Sequence, residues 1–150
     1  MKSSIIYGYG FPCECSDQSL IKFIESHSNT FCASEQETML YQHITDPESN
    51  VDDLEDVFDN YSCDATGRTG IGAVISNIMS RETGIRFEYC GPDADCGTKA
   101  SVVFGDGFPW SFNEIEKKLT PEKLESICKR YENELEIVSE PDYLALEYYG

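Results

Sequence analysis

The chain has no run of about 18 consecutive apolar residues; its longest apolar stretches are pieces such as Ile71–Ile75, interrupted by Gly72, so no transmembrane helix is expected. Positive charge is also scarce, with 11 Lys and Arg against 28 Asp and Glu, for a net charge of −17 over 150 residues. A field of that sign argues against direct binding to nucleic acid or to an anionic membrane, because either would have to press its phosphates against it. Histidine is nearly absent: His27 and His43 are the two, neither in a Ser/His/Asp or H-E-x-x-H setting. Both fall in expected acidic helices and read as surface or helix-terminal residues. The opening Met1–Gly8 carries one lysine and an apolar run too brief for a signal-peptide core, with no small-residue cleavage site. The expected compartment is therefore the cytosol.

A composition of 40% hydrophobic and 12% aromatic residues fits one globular domain, so we expect a single domain over 1–150. The seven cysteines, at 13, 15, 32, 63, 90, 96 and 128, form an odd set without a repeating framework and read as free thiols in a reducing compartment. Zinc would require Cys13, Cys15, Cys90 and Cys96 to meet, but C-x-C and C-x5-C spacings both lie outside the usual C-x2–4-C knuckle. An EF-hand beginning at Asp46 fails too, since Val51 stands where the loop needs glycine and Val57 where it needs a bidentate glutamate. No metal or cofactor is expected.

The negative charge is regional. Between Glu14 and Asp64 thirteen acidic residues face the single Lys22, so this segment carries −12 of the total; the remainder has fifteen acids and ten bases, an ordinary soluble balance. The segment reads as helical. Ser16 or Asp17 caps a helix with Leu20, Ile21, Phe23 and Ile24 inward, ending around 27–30. Ser34 and Glu37 form a capping box ahead of Met39, Leu40, Tyr41 and Ile44, and Asp46-Pro47 ends that helix. A third, short helix over 51–61 would turn Val51, Leu54, Val57 and Phe58 inward, leaving Asp52, Asp53, Glu55, Asp56 and Asp59 outward.

The most specific pattern is an internal echo. Ser4-Ile5-Ile6-Tyr7-Gly8-Tyr9-Gly10-Phe11-Pro12 recurs as Ser101-Val102-Val103-Phe104-Gly105-Asp106-Gly107-Phe108-Pro109, identical at five positions. Each copy predicts a buried strand running into a Gly-x-Gly turn, whose glycines allow backbone approaches that a side chain would prevent. Further on, a helix is expected over 71–80, a hairpin pairing 85–89 with 100–104 across the turn 91–97, a helix opened by Thr120-Pro121, and a last strand over 142–149. The expected fold class is α+β: one domain with a roughly four-stranded, mainly antiparallel sheet and about four to five helices. Trp110, beside Pro109 and Phe112, reads as core or interface, since no basic residues accompany it as nucleic-acid stacking would need.

Cys63-Asp64-Ala65-Thr66-Gly67-Arg68-Thr69-Gly70, ahead of an apolar helix, resembles the phosphate-binding loop of protein tyrosine phosphatases. The resemblance covers these eight residues and implies Cys63 as nucleophile and Arg68 as phosphoryl clamp, aided by the helix N-terminus at Ile71. Four residues separate Cys63 from Arg68 where that family has five, and Ser62 stands where it has histidine.

In charge and size the chain resembles small acidic inhibitors such as phage-encoded anti-CRISPR and anti-restriction DNA mimics, a likeness of class that carries no residue over. The leading expectation is a non-enzymatic protein whose acidic segment docks on a basic, nucleic-acid-binding partner protein and competes with nucleic acid. Asp52, Asp53, Glu55, Asp56 and Asp59 are the expected ion-pair acceptors, supported by Glu35, Glu37 and Glu48. The alternatives are a cysteine-dependent phosphatase using Cys63 and Arg68, and a structural or assembly protein whose acidic surface serves solubility.

Overall fold

The computed structural model describes residues 3–49, 53–90, 101–104, 112–138 and 141–149, with backbone alone for 3–8 and 142–149. In chain order the elements are β1 (Ser3–Pro12), α1 (Asp17–Ser26), α2 (Ser28–Phe31), α3 (Glu35–Thr45), α4 (Leu54–Val57), α5 (Ile71–Thr83), β2 (Phe87–Cys90), β3 (Ser101–Phe104), α6 (Pro121–Glu134) and β4 (Asp142–Tyr149). A 3-10 turn covers Glu116–Lys118. The strands pair antiparallel in the order β2-β3-β1-β4, so the architecture is α+β in one domain. No helix among the described residues is long and apolar enough to cross a membrane.

The echoing strands pair with each other. Tyr9, Gly10, Phe11 and Pro12 oppose Phe104, Val103, Val102 and Ser101. The first copy does not turn at its Gly-x-Gly, contrary to expectation: β1 runs on through Gly8 and Gly10 to Pro12. A Cβ at Gly10 would lie 2.0 Å from the Val102 carbonyl oxygen, so glycine there serves close approach of two strands, not a turn. Gly105, Asp106, Gly107, Phe108, Pro109 and Trp110 lie outside the described residues, as does the expected turn 91–97 with Cys96.

The core lies between the sheet and α5. Residues 72–79 of α5 are all buried, with Ala73, Val74, Ile75, Ile78 and Met79 at 0% exposure. That all-round burial marks a central helix, and each large apolar side chain so buried contributes roughly 1.5–3 kcal/mol. The helix runs three residues past the expected Ser80 and ends at Gly84. The expected strand over 85–89 begins instead at Phe87, because Ile85 sits in the connection and packs into the core. Helix α6 opens as expected, with the Thr120 hydroxyl accepting from the Lys123 N–H and Pro121 at the first position.

Two expected helices are shorter. The first acidic helix breaks at His27 and resumes for the single turn α2. The expected helix over 51–61 contracts to α4, one turn whose N-cap Asp53 accepts from the Glu55 N–H. Asp53, Asp56, Asp59 and Asn60 favour caps and turns over helix interiors, while Leu54 and Phe58, both at 0% exposure, still anchor the turn.

His27 is helix-terminal, at the C-cap of α1, but it is buried, which corrects the surface alternative. Its Nδ1 lies 2.6 Å from a Glu82 carboxylate oxygen and its Nε2 lies 3.0 Å from Glu134. Tyr131 and Thr30 also donate to Glu82, each at 2.8 Å. Burial pushes the Glu82 carboxyl up, but the hydrogen bonds from His27, Tyr131 and Thr30 outweigh it and hold the group below its ordinary range. His43 is exposed in the last turn of α3.

Candidate functional site

After Pro12 the chain leaves the sheet, and Ser16 caps α1 by accepting from the Ser19 N–H, which sets Asp17 in the first helical turn. The Asp17 carboxylate in turn accepts from the N–H of Leu54 at 3.5 Å, joining the start of α1 to the start of α4. Burial of Leu54 and Phe58 leaves Asp53, Glu55, Asp56 and Asp59 exposed around that turn. Beside it stands the N-terminus of α5, crossed by the Tyr89 side chain of β2. A Cβ at Gly72 would lie 2.1 Å from one Tyr89 ring carbon, so only glycine lets the ring lie there.

These elements enclose a cleft of about 690 Å³. Glu14, Asp17, Asp53, Glu55 and Asp59 supply five carboxylates to its lining; Cys13, Cys15, Ile71 and Tyr89 form the less polar part; no lysine or arginine among the described residues lines it. Asp17, Asp53, Glu55, Asp56 and Asp59 make no ion pair among the described residues. Burial raises the Cys13 thiol to about 12, with Cys15 and Glu14 adding to the rise, and burial with Asp17 raises Cys15 to about 11. Both are neutral thiols near pH 7, unsuited to nucleophilic attack. Among the described residues no three His, Cys, Asp or Glu side chains converge closely enough to hold a metal ion.

The structure sorts the expected docking residues. Asp53, Glu55 and Asp59 come together on the cleft, and Asp56 is exposed on the same turn outside the lining. Asp52 lies outside the described residues. Glu35 and Glu48 are exposed near the two ends of α3, away from the cleft, with Glu35 beside a shallow groove formed by Met39, Leu40 and His43. Glu37 is a correction. It is 3% exposed, receives hydrogen bonds from the Tyr61 hydroxyl (2.5 Å) and Arg81 (2.8 Å), and so belongs to the interior. Only half of the expected capping box forms: Ser34 accepts from the Glu37 N–H, while the Glu37 side chain turns inward to Arg81.

Tyr89, Glu14, Asp17 and the glycines at the start of α5 escaped sequence reasoning as site residues. The one usable signal was the Gly70-Ile71-Gly72 spacing ahead of a helix, which marks close backbone approach without saying to what.

The phosphatase-like loop takes a different shape. Five of its amides are spent within the protein: Cys63 N–H donates to Arg68 O, Asp64 N–H to Asn77 Oδ1, Gly67 N–H to Cys63 O, Arg68 N–H to Thr66 Oγ1 and Gly70 N–H to Tyr61 O. Cys63 is 1% exposed and its Sγ accepts from Ser76 in the second turn of α5, away from the helix N-terminus. Burial raises this thiol, but bonds from Ser76, the Tyr89 backbone and Thr66 outweigh it and leave the group below its ordinary value. The geometry is that of an internally hydrogen-bonded turn, without the row of free amides that cradles a phosphoryl group.

Compared with protein-family models, curated proteins and solved structures, the chain matches none.

Proposed function

We propose that the protein is a non-enzymatic acidic binding protein that docks, through the cleft formed around α4, on the basic surface of a nucleic-acid-handling protein in the cytosol and competes with nucleic acid there. The observation that carries this reading is the gathering of five carboxylates around one concavity that no basic residue among the described residues lines. Like charges one turn apart destabilise a helix by a few tenths of a kcal/mol, a cost that folding does not require. Buried Glu37 and Glu116 are matched with Arg81 and Arg86, whereas Asp17, Asp53, Glu55 and Asp59 make no ion pair among the described residues. A concave anionic surface steers a basic partner and supplies acceptors for its Lys and Arg side chains.

The test is capture from lysate at low ionic strength with a salt gradient and competitor DNA, repeated with Glu55→Lys/Asp56→Lys/Asp59→Lys. Recovery of one basic nucleic-acid-binding protein, released by salt, displaced by DNA and lost in the triple variant, is expected. Equal recovery by wild type and variant would remove the docking face.

A further inference from the structure

Helix α3 carries a second concavity, which shares no lining residue with the acidic cleft among the described residues. Glu37 and Ile44 turn one side of the helix into the core. On the other side Glu35, Gln36, Met39, Leu40 and His43 line a groove of about 570 Å³, and no element besides α3 contributes to it among the described residues. Met39 is 63% exposed at its middle, and Leu40 is half-buried beside it. These residues fall into two rows of spacing four, 35-39-43 and 36-40, and ridges so spaced leave a groove in which a side chain of a second helix seats. A lone exposed methionine is ordinary on a soluble surface; an apolar groove with an acid at one end and a base at the other has a direction that a lone methionine lacks.

The order of the end groups selects the occupant. Glu35 stands four residues before Met39 and His43 four residues after it, so the face reads acid, apolar, base along the helix. Turned end for end, the same face reads base, apolar, acid, and so complements itself. We propose that this face pairs α3 with α3 of a second copy of the chain, antiparallel about a two-fold axis near Met39. Each Met39 enters the other copy's groove, and each Glu35 carboxylate accepts from an imidazole N–H of His43 across the axis. An imidazole offers an N–H in either protonation state, so the pair does not require a charged histidine. A two-fold contact is isologous, so one complementary pair in the sequence becomes two in the dimer. The antiparallel arrangement also sets the positive end of each helix dipole beside the negative end of the other. A basic partner protein would meet one carboxylate here against five at the cleft, so this face is separate from the docking reading above.

The test is sedimentation equilibrium of the full chain with reductant present, in salt of about 0.15 M, which screens charges more than about 8 Å apart. One helix face is small against the roughly 800 Å² per partner of a standard interface, so a reversible monomer–dimer equilibrium with a dissociation constant on the order of 100 µM is expected. Met39→Asp sets two carboxylates against each other at the axis and is expected to weaken the dimer by at least roughly tenfold. Glu35→Lys and His43→Glu, each made alone, break both end pairs and are each expected to weaken it severalfold. Mixed one to one, the two single variants regain an acid opposite a base at both ends, so the mixture is expected to dimerise at least as tightly as wild type. All three positions are exposed, and unchanged far-UV circular dichroism checks that each variant is folded. A monomer at all concentrations up to about 1 mM, association untouched by Met39→Asp, or a mixture no tighter than its two components would overturn the pairing.

Discussion

Two sets of carboxylates in this molecule are treated in opposite ways. Glu37 and Glu116 are buried and Glu82 is partly so, and these three are supplied with partners: Arg81 and Tyr61 for Glu37, His27, Tyr131 and Thr30 for Glu82, Arg86 and the Asn113 N–H for Glu116. Asp53, Glu55 and Asp59 stand together on the cleft and have no cation among the described residues. Glu37 and Glu116 are thus buried against arginines, whereas Asp53, Glu55 and Asp59 face the concavity with no ion pair among the described residues. Acidic composition alone does not separate the two sets; partner geometry does.

The sharpest way to break this comparison is to remove a carboxylate from the buried set. Glu37→Ala leaves the buried Tyr61 hydroxyl without its acceptor and removes one partner of Arg81, which keeps Asp64 and the Thr30 and Phe31 carbonyls, and is expected to lower unfolding free energy by about 2 kcal/mol in urea titration. A loss below about 0.5 kcal/mol, the range of ordinary surface changes, would put Glu37 with the exposed set. Gly72→Ala comes next. Its Cβ would fall 2.1 Å from the Tyr89 ring, so about 1–3 kcal/mol of overpacking is expected, together with displaced Tyr89 resonances. Retained stability with an unmoved ring would contradict the account of how Tyr89 is held.

Acid should separate the sets as well. Glu82 and Glu116 are held below their ordinary value of 4.5 in the folded protein, burial opposing the shift and hydrogen bonds prevailing. Carboxyls with depressed folded values contribute stability that is fully present above the unfolded value and lost as pH falls through the folded one. The urea midpoint is therefore expected to fall as pH drops below about 4.5, less steeply in Glu82→Gln and Glu116→Gln. Identical slopes in wild type and variants would assign acid unfolding to other groups. The smallest effect has the opposite sign: Glu55→Gln/Asp59→Asn relieves like-charge repulsion and should raise stability by a few tenths of a kcal/mol at low salt. Destabilisation would mean that these carboxylates carry structure after all.

Much of the architecture was readable because it rests on local signals. The apolar period of α5, the Thr120-Pro121 opening of α6, the alternation behind β2 and β4 and the β-branched run of β3 are each written within a dozen or so residues. The echo foretold two strands needing close backbone approach, but not that they would pair with each other, so Gly10 was read as part of a turn instead of a contact with Val102. The position of Glu37 was illegible for a related reason. Its capping role is local, whereas its burial depends on Arg81, 44 residues away. His27 is held by carboxylates 55 and 107 residues distant. Tyr89 reads as one alternating strand residue until the fold sets it across the glycines of α5. The acidic turn was visible as charge; the concavity it encloses is a tertiary feature.

The most direct test of the central claim holds net charge constant and moves only its location. Glu55→Lys/Asp56→Lys/Asp59→Lys changes the acidic turn, and Glu114→Lys/Glu122→Lys/Glu125→Lys changes three exposed carboxylates outside the acidic segment by the same amount. With the captured partner in hand, binding of both variants and wild type is measured at one salt concentration. The account predicts that the first variant loses binding and the second retains it; equal losses in both would mean that bulk charge, and not the cleft, does the recognising.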